Sequence, residues 1–239
     1  MTRTALITGA SRGLGYTLAR FLAGQGYGLI LTARKENALE ASAQTLKGAG
    51  TVLSLAGDVA DASHRRELSE AARTLGGLDL LVNNASALGP TPLPPLADYP
   101  LEALRGVLEV NLLAPLALVQ EALPLLEAKR GLVVNVSSDA ALGGYPSWGG
   151  YGSSKAALDL VTKTLANELQ DRGVSAVGVD PGDLRTAMHG AAFPGEDISD
   201  RPLPEVTLPF WAWLLGQRPQ DVNGQRFAAQ AETWTLVEM

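Results

Sequence analysis

Tyr151 and Lys155 are the residues in this 239-residue chain whose types and spacing most directly suggest chemistry. Four positions apart at the start of a helical run, they project onto one helix face. There an ammonium favours a phenolate and draws the phenol down from its ordinary pKa of about 10. A phenol tuned in this way exchanges protons near neutral pH. A solvated Tyr/Lys surface pair is the plain alternative, but the pair is not isolated. Ser138 follows an apolar run at 131–136 and precedes Tyr151 by thirteen positions. A hydroxyl there falls where parallel strands open an active-site crevice at their C-terminal ends.

A second constellation lies near the start, in Thr8-Gly9-Ala10-Ser11-Arg12-Gly13-Leu14-Gly15. Three glycines between an apolar run and a helical one allow a tight turn and a close backbone approach, and the first N–H groups of the helix then face a pyrophosphate. Gly9, Ser11, Arg12, Gly13, Leu14 and Gly15 are therefore candidates for binding a dinucleotide. No GK[ST] follows, so a nucleoside-triphosphatase loop is excluded. At the end of the second strand, where an acidic residue would select a ribose 2′-hydroxyl, the chain has Ala33, Arg34 and Lys35. Arg34 with Arg12 suits a 2′-phosphate, which favours NADP (NADPH); if Arg34 points into water, NAD is the alternative. Asp58, with Val59 beside it, reads either as an acceptor for the adenine amino group or as the cap of the helix that follows.

The elements that must position these residues alternate regularly. Apolar strands are expected at 4–8, 28–32, 52–56, 78–82, 131–136, 175–179 and 225–228, and helices at 14–23, 36–46, 62–74, 101–127, 153–170 and 206–216. Strands written as continuous apolar runs belong to a parallel sheet covered on both faces, so the expectation is an α/β doubly wound, mainly parallel fold of three layers. The Pro-rich stretch 90–95 reads as a loop inside this pattern, and residues 1–239 as one domain, with 186–216 as a substrate lid.

Composition narrows the function classes. With no cysteine there is no thiol chemistry or Cys-based metal site, and His64 and His189 form no HExxH pattern, so no metal is expected. A net charge of −6 argues against nucleic acid as a partner. No secretory leader or membrane-length apolar run stands out, which makes a cytoplasmic protein the default expectation.

Taken together, Thr8-Gly9-xxx-Gly13-x-Gly15, Asp58-Val59, Asn83-Asn84-Ala85, Asn111, Ser138, Tyr151-xxx-Lys155 and Pro181-Gly182-xxx-Thr186 resemble a classical short-chain dehydrogenase/reductase over nearly the whole chain. The resemblance implies a seven-stranded Rossmann domain that assembles as a homodimer or homotetramer, and NAD(P)-dependent hydride transfer on a small carbonyl or alcohol substrate. Tyr151 would be the general acid and base. Ser138 would hold the substrate oxygen, Lys155 would contact the nicotinamide ribose, and Asn111 would support a water leading from Lys155 to solvent. Asn84, Ala85, Pro181, Gly182 and Thr186 would lie along the cofactor. In one departure, Ser86 stands where the family's Asn-Asn-Ala motif continues with glycine, which narrows the allowed backbone and adds a hydroxyl.

Specificity is left to the loops. Tyr145 and Trp148 read either as stacking surfaces or as loop packing, and His189 either as a hydrogen-bonding group or as an incidental surface residue. Phe210, Trp211 and Trp213 suit a packed helix, a pocket wall or an interface. Residues 231–239, including Trp234 and Val237, suit docking on the body or on another subunit. A nucleotide-binding scaffold or sensor without useful turnover is the competing class of function.

Overall fold

A computed structural model describes residues 2–46 and 48–236. Seven strands form one sheet: β1 (Thr4–Thr8), β2 (Gly28–Ala33), β3 (Val52–Ala56), β4 (Leu80–Asn83), β5 (Leu132–Val136), β6 (Ser175–Asp180) and β7 (Arg226–Ala228). Their order is β3-β2-β1-β4-β5-β6-β7, and every neighbouring pair is parallel. The chain runs outward from β1 through β3, then returns to the other side of β1 with β4. This reversal leaves a crevice beyond the C-terminal ends of β1 and β4, where doubly wound sheets bind ligands.

Continuous apolar runs form the central strands because both sheet faces are covered. β1, β4, β5 and β6 are buried along their length, whereas the edge strands β3 and β7 are partly open. Alternate side chains point to opposite layers. Ala5, Ile7, Leu29, Leu31, Val82 and Val134 pack against α1 (Gly13–Gly24) and α8 (Leu208–Gly216), while Leu6, Ile30, Leu81 and Val133 face α3 (Ala62–Thr74), α5 (Ala114–Lys129) and α6 (Gly149–Leu169). The remaining helices are α2 (Glu36–Gln44), α4 (Leu101–Leu108) and the short α7 (Ala187–Ala192).

Several boundaries differ from expectation for local reasons. The helix carrying Tyr151 begins at Gly149, so Tyr151 is already inside its first turn. Asp61, not Asp58, caps α3: its carboxylate accepts the Ser63 N–H at 2.8 Å, while Asp58 accepts from Ala60. The long helix expected at 101–127 is α4 and α5 joined through a π-turn at Glu109–Leu113. That continuous stretch, Leu101–Lys129, is 29 residues and contains an 18-residue window of mean hydropathy 1.4, which corrects the expectation that no run reaches membrane-spanning length. In this fold Leu118, Val119, Ala122 and Leu126 bury that apolar character in the core.

The aromatic helix also resolves. Phe210 and Trp211 are buried, and Phe210 meets Trp213, Phe227 and Trp234 at centroid separations of 5.9, 5.8 and 5.4 Å. α8 is therefore core, and Trp234 docks on the body of its own chain. Val237 lies outside the described residues.

Candidate active site

The crevice is one cleft of about 1540 Å³ that runs from the glycine turn to Tyr151. Its floor at β1 is backbone. Gly9 and Gly13 have φ of +68° and +56°, a region that L side chains rarely adopt. A Cβ on Gly15 would stand 2.4 Å from the Gly9 carbonyl oxygen, so the turn closes on itself there. No side chain caps α1, whose N-terminus opens on the cleft. Asn84 fastens this turn to the end of β4. Its Nδ2 donates to Thr8 O at 2.8 Å and to Gly9 O at 3.3 Å, and the Asn84 and Ala85 N–H groups both donate to Thr8 Oγ1 at 2.9 Å.

Arg12, Arg34, Asp58 and Val59 line the same end, and the two arginines are exposed. His64 takes a structural role behind it, sharing a 2.7 Å hydrogen bond with Thr32 Oγ1. These features fit a dinucleotide: bare backbone for the pyrophosphate, cations beside Ala33, and a cleft long enough to continue to Tyr151. Gly15, expected to contact the cofactor, does not border the cleft and instead closes the turn against Gly9. Among the described residues no cluster of three or more His, Asp or Glu is arranged to hold a metal.

At the other end, β5 delivers Ser138 and α6 delivers Tyr151 and Lys155 to one wall. Both Tyr151 and Lys155 are buried, at 9% and 2% exposure. Lys155 Nζ donates to Val136 O at 2.7 Å and lies 5.6 Å from the Tyr151 ring centroid. Burial lowers the Lys155 ammonium to about 8, with Asp159 opposing. Burial likewise dominates Tyr151, pushing the phenol up to about 12, and the hydroxyls of Ser86 and Ser138 pull it part of the way back. The expectation of a phenol drawn down by Lys155 is corrected: burial sets the direction of the shift, and the Lys155 charge is not among the groups that oppose it. Ser138 Oγ also donates to Asp139 Oδ1 at 3.0 Å and accepts the Ala140 N–H at 3.2 Å.

Asn111 sits in the π-turn, fully buried behind the cleft wall. Its Oδ1 accepts from Ala87 N–H at 2.7 Å, and its Nδ2 donates to Ala87 O and to Ser154 Oγ, each at 2.9 Å. The side chain thus splints the segment after β4 to α6. Ser86 adopts no left-handed φ, so the serine brings no backbone strain in place of the family glycine.

Pro181 and Gly182 border the cleft beyond β6, with Gly182 at φ +70° and its N–H on Asp180 Oδ1 at 3.0 Å. Thr186 also borders it, while its hydroxyl accepts the His189 N–H at 3.2 Å and caps α7. The mouth is aromatic: Trp148 meets Tyr151 edge-on at 5.8 Å and Phe193 at 5.9 Å, and His189 stacks on Phe193 at 4.9 Å. His189 is thus a packed cleft residue, not an incidental surface one, with its side chain 11% exposed and Nδ1 3.8 Å from Asp183. Tyr145 is half exposed, and the nearby Asp139 carboxylate raises its pKa. Asp183 also pairs with Arg201 at 3.6 Å.

Arg226 was not singled out from sequence. From β7 its Nε donates to Asp159 at 2.9 Å, and its Nη2 reaches Ser138 O at 2.8 Å and Asp180 at 3.2 Å. It ties α6 and the ends of β5 and β6 together directly beneath the site. The one local hint was Asp159, a single helical turn beyond Lys155 on the same face.

Comparison with known proteins agrees with this geometry. Residues 3–197 match the short chain dehydrogenase family model. Dehydrogenase/reductase SDR family member 4 of Bos taurus is 37% identical over 191 residues, covering 77% of this chain and 67% of that protein. The oxidoreductase YciK of Escherichia coli K12 is 31% identical over 236 residues, covering 95% and 92%. A short chain dehydrogenase of Shigella flexneri 2a, solved in complex with NADP, superposes with a TM-score of 0.88 at 30% identity, covering 96% of this chain and 97% of that one. The chain belongs to the short-chain dehydrogenase family and is an oxidoreductase of that family.

Proposed function

We propose that this protein is an NADP-dependent reductase of a small carbonyl compound, reversible as an alcohol dehydrogenase, with Tyr151 as its general acid and base. The observation that carries this reading is the single cleft joining a bare glycine turn, with Arg12 and Arg34 beside it, to Ser138 and the buried Tyr151 and Lys155. A nucleotide-binding scaffold would not need a buried lysine and phenol at the far end.

The bound dinucleotide supplies the hydride for reduction or accepts it in oxidation. The chain does the rest. Tyr151 donates its hydroxyl proton to the carbonyl oxygen in reduction and takes it back in oxidation. Ser138 gives up its bond to Asp139 to hold that oxygen and stabilise the charge developing on it. Lys155 keeps one N–H on Val136 O, which leaves two donors for the nicotinamide ribose hydroxyls. Trp148, His189 and Phe193 exclude water from the reacting atoms, with residues 186–193, the part of the expected 186–216 lid that borders the cleft, closing over them. The protein acts as a dimer or tetramer.

The test is a panel of aldehydes, ketones and secondary alcohols assayed with both nicotinamide cofactors, with Tyr151→Phe as control. Turnover abolished by Tyr151→Phe, with NADP binding retained, supports the reading. Cofactor binding without turnover by the unaltered protein across the panel would favour the scaffold.

A further inference from the structure

The residue after Ser138 brings a second acceptor to the reacting end of the cleft. Asp139 borders the cleft, and its Oδ1 accepts the Ser138 hydroxyl at 3.0 Å and the Ala140 N–H at 2.8 Å. It is exposed, and among the described residues it forms no ion pair. The cations of the cleft do not offset it. Arg12, Arg34 and Lys35 border the end at the glycine turn, and Lys155 is held on Val136 O. Asp180 and Asp183, the other carboxylates beside the reacting end, have Arg226 and Arg201 as their partners.

Asp139 is therefore an unneutralised anion one hydrogen bond away from the serine that holds the substrate oxygen. As a carbonyl is reduced, negative charge develops on that oxygen, and a bare carboxylate so close opposes it. A proton donor between the two removes the conflict. When Ser138 turns its proton to the substrate oxygen, Asp139 Oδ1 keeps the Ala140 N–H and loses one donor, which a hydroxyl on the carbon next to the carbonyl replaces. Gauche oxygens on adjacent carbons stand about 2.8 Å apart, one hydrogen-bond length. Ser138 Oγ and Asp139 Oδ1, the groups that would take them, are 3.0 Å apart. A carboxylate in place of that hydroxyl would meet a like charge.

Resting on the reading of Ser138 and Tyr151 as the groups that take the carbonyl oxygen, we propose that Asp139 is a specificity-determining residue that selects carbonyl compounds with a hydroxyl on the adjacent carbon, so that the alcohol formed is a vicinal diol. The carbonyl carbon receives the hydride from the bound dinucleotide and its oxygen the proton of Tyr151. The adjacent hydroxyl keeps its own proton and only lends it to Asp139.

The experiment compares 1-hydroxy-2-butanone, 2-butanone and 2-oxobutanoate, which carry a hydroxymethyl, a methyl or a carboxylate beside the same carbonyl, as substrates of the unaltered protein, Asp139→Asn and Asp139→Ala with NADPH. Ser138 Oγ also accepts the Ala140 N–H, at 3.2 Å, so neither variant strands that donor. The unaltered protein should use the hydroxyketone at least about tenfold better than the plain ketone in kcat/KM, and the oxo acid worst. Asp139→Ala should lower the hydroxyketone value by about 10- to 100-fold and raise the other two, with Asn, an uncharged acceptor, in between. Opposite movements on two substrates do not arise from a damaged fold. An unchanged preference in Asp139→Ala, or an equal loss on all the substrates, overturns the proposal.

A second measurement needs no turnover: the dissociation constants of 1,2-butanediol and 2-butanol from the NADP⁺ complex, followed by ligand-observed NMR. The diol should bind at least about tenfold tighter than the alcohol, an advantage that Asp139→Ala removes. Equal binding of the two overturns the role of Asp139. Turnover that Tyr151→Phe abolishes but that shows no preference for the hydroxyketone sinks this proposal and leaves the reductase standing, whereas diol-selective binding without any turnover does the reverse.

Discussion

Lys155 Nζ is bonded to the main-chain oxygen of Val136 at 2.7 Å, which holds an ammonium beside the Tyr151 ring at 2% exposure. Burial makes that charge costly. A lysine in the unfolded chain keeps its proton to about 10.5, but Lys155 in the fold releases it at about 8. Between those values the unfolded chain binds the extra proton, so stability should rise with pH through this window, by up to roughly 3 kcal/mol. Tyr151 acts in the opposite sense above pH 10, because its raised pKa makes the fold hold a proton that the unfolded chain has lost. Urea unfolding of the cofactor-free protein between about pH 8 and pH 10 should therefore show a rising stability that Lys155→Met flattens. Parallel profiles for the two proteins would show that Lys155 is not desolvated as the geometry implies.

Gly15 predicts a sharper effect than its neighbours. An added Cβ would meet the Gly9 carbonyl oxygen at 2.4 Å and Asn84 Nδ2 at 2.6 Å, and the carbonyl belongs to the backbone that shapes the phosphate turn. Gly15→Ala should cost about 1–3 kcal/mol by overpacking and weaken NADP binding at least about tenfold. Gly24, at the far end of the same helix, has nothing within 4 Å of such a Cβ. Gly24→Ala should stay within about 0.5 kcal/mol of the unaltered protein and bind NADP equally well. Thermal unfolding and a cofactor titration on both variants check the contrast.

How much of this was legible beforehand follows from which interactions are local. The strands could be read because burial on both sheet faces forces continuous apolar runs, as in Ala5-Leu6-Ile7 and Val133-Val134. Tyr151 and Lys155 could be read because helical spacing alone puts them on one face. The balance between them could not, since whether a charge or desolvation sets a pKa depends on depth in the folded chain. Asn111 could be singled out only through the family resemblance, and its grip on Ala87 exists only once the π-turn presents it to the segment after β4. Arg226 sits in a three-residue edge strand, 46 and 67 positions from the carboxylates it joins, so no window of sequence contains its role.

Arg34 is the proposed source of the cofactor preference. It is exposed at the end of β2, beside the glycine turn that carries Arg12, at the end of the cleft opposite Tyr151. If a 2′-phosphate lies between them, losing one charged hydrogen-bond donor should reduce the NADP over NAD preference in kcat/KM by about 10- to 100-fold, nearly all of it from weaker NADP use. Arg34→Ala and Arg12→Ala should each show this, with melting temperatures unchanged because both side chains are exposed. An unaltered cofactor ratio in both variants would leave the preference without its proposed source.

Arg226 should matter for stability and for the site at once. Its guanidinium is 19% exposed and bonds the mostly buried carboxylates of Asp159 and Asp180, so Arg226→Ala leaves two carboxylates in the interior with their shared cation gone. The expected cost is on the order of 3 kcal/mol, larger than for the exposed pair Arg105 and Glu102, whose removal should cost roughly 0.5 kcal/mol or less. The same guanidinium holds Ser138 O, so kcat should fall as Ser138 loses its anchor. Protonating the stranded carboxylates relieves their repulsion, and stability of Arg226→Ala relative to the unaltered protein should recover as pH falls toward about 5. A double variant, Arg226→Ala with Asp180→Asn, should regain part of the stability at neutral pH without restoring kcat. If the double variant is no more stable than Arg226→Ala, the cost lies in lost packing and not in the unpaired charge.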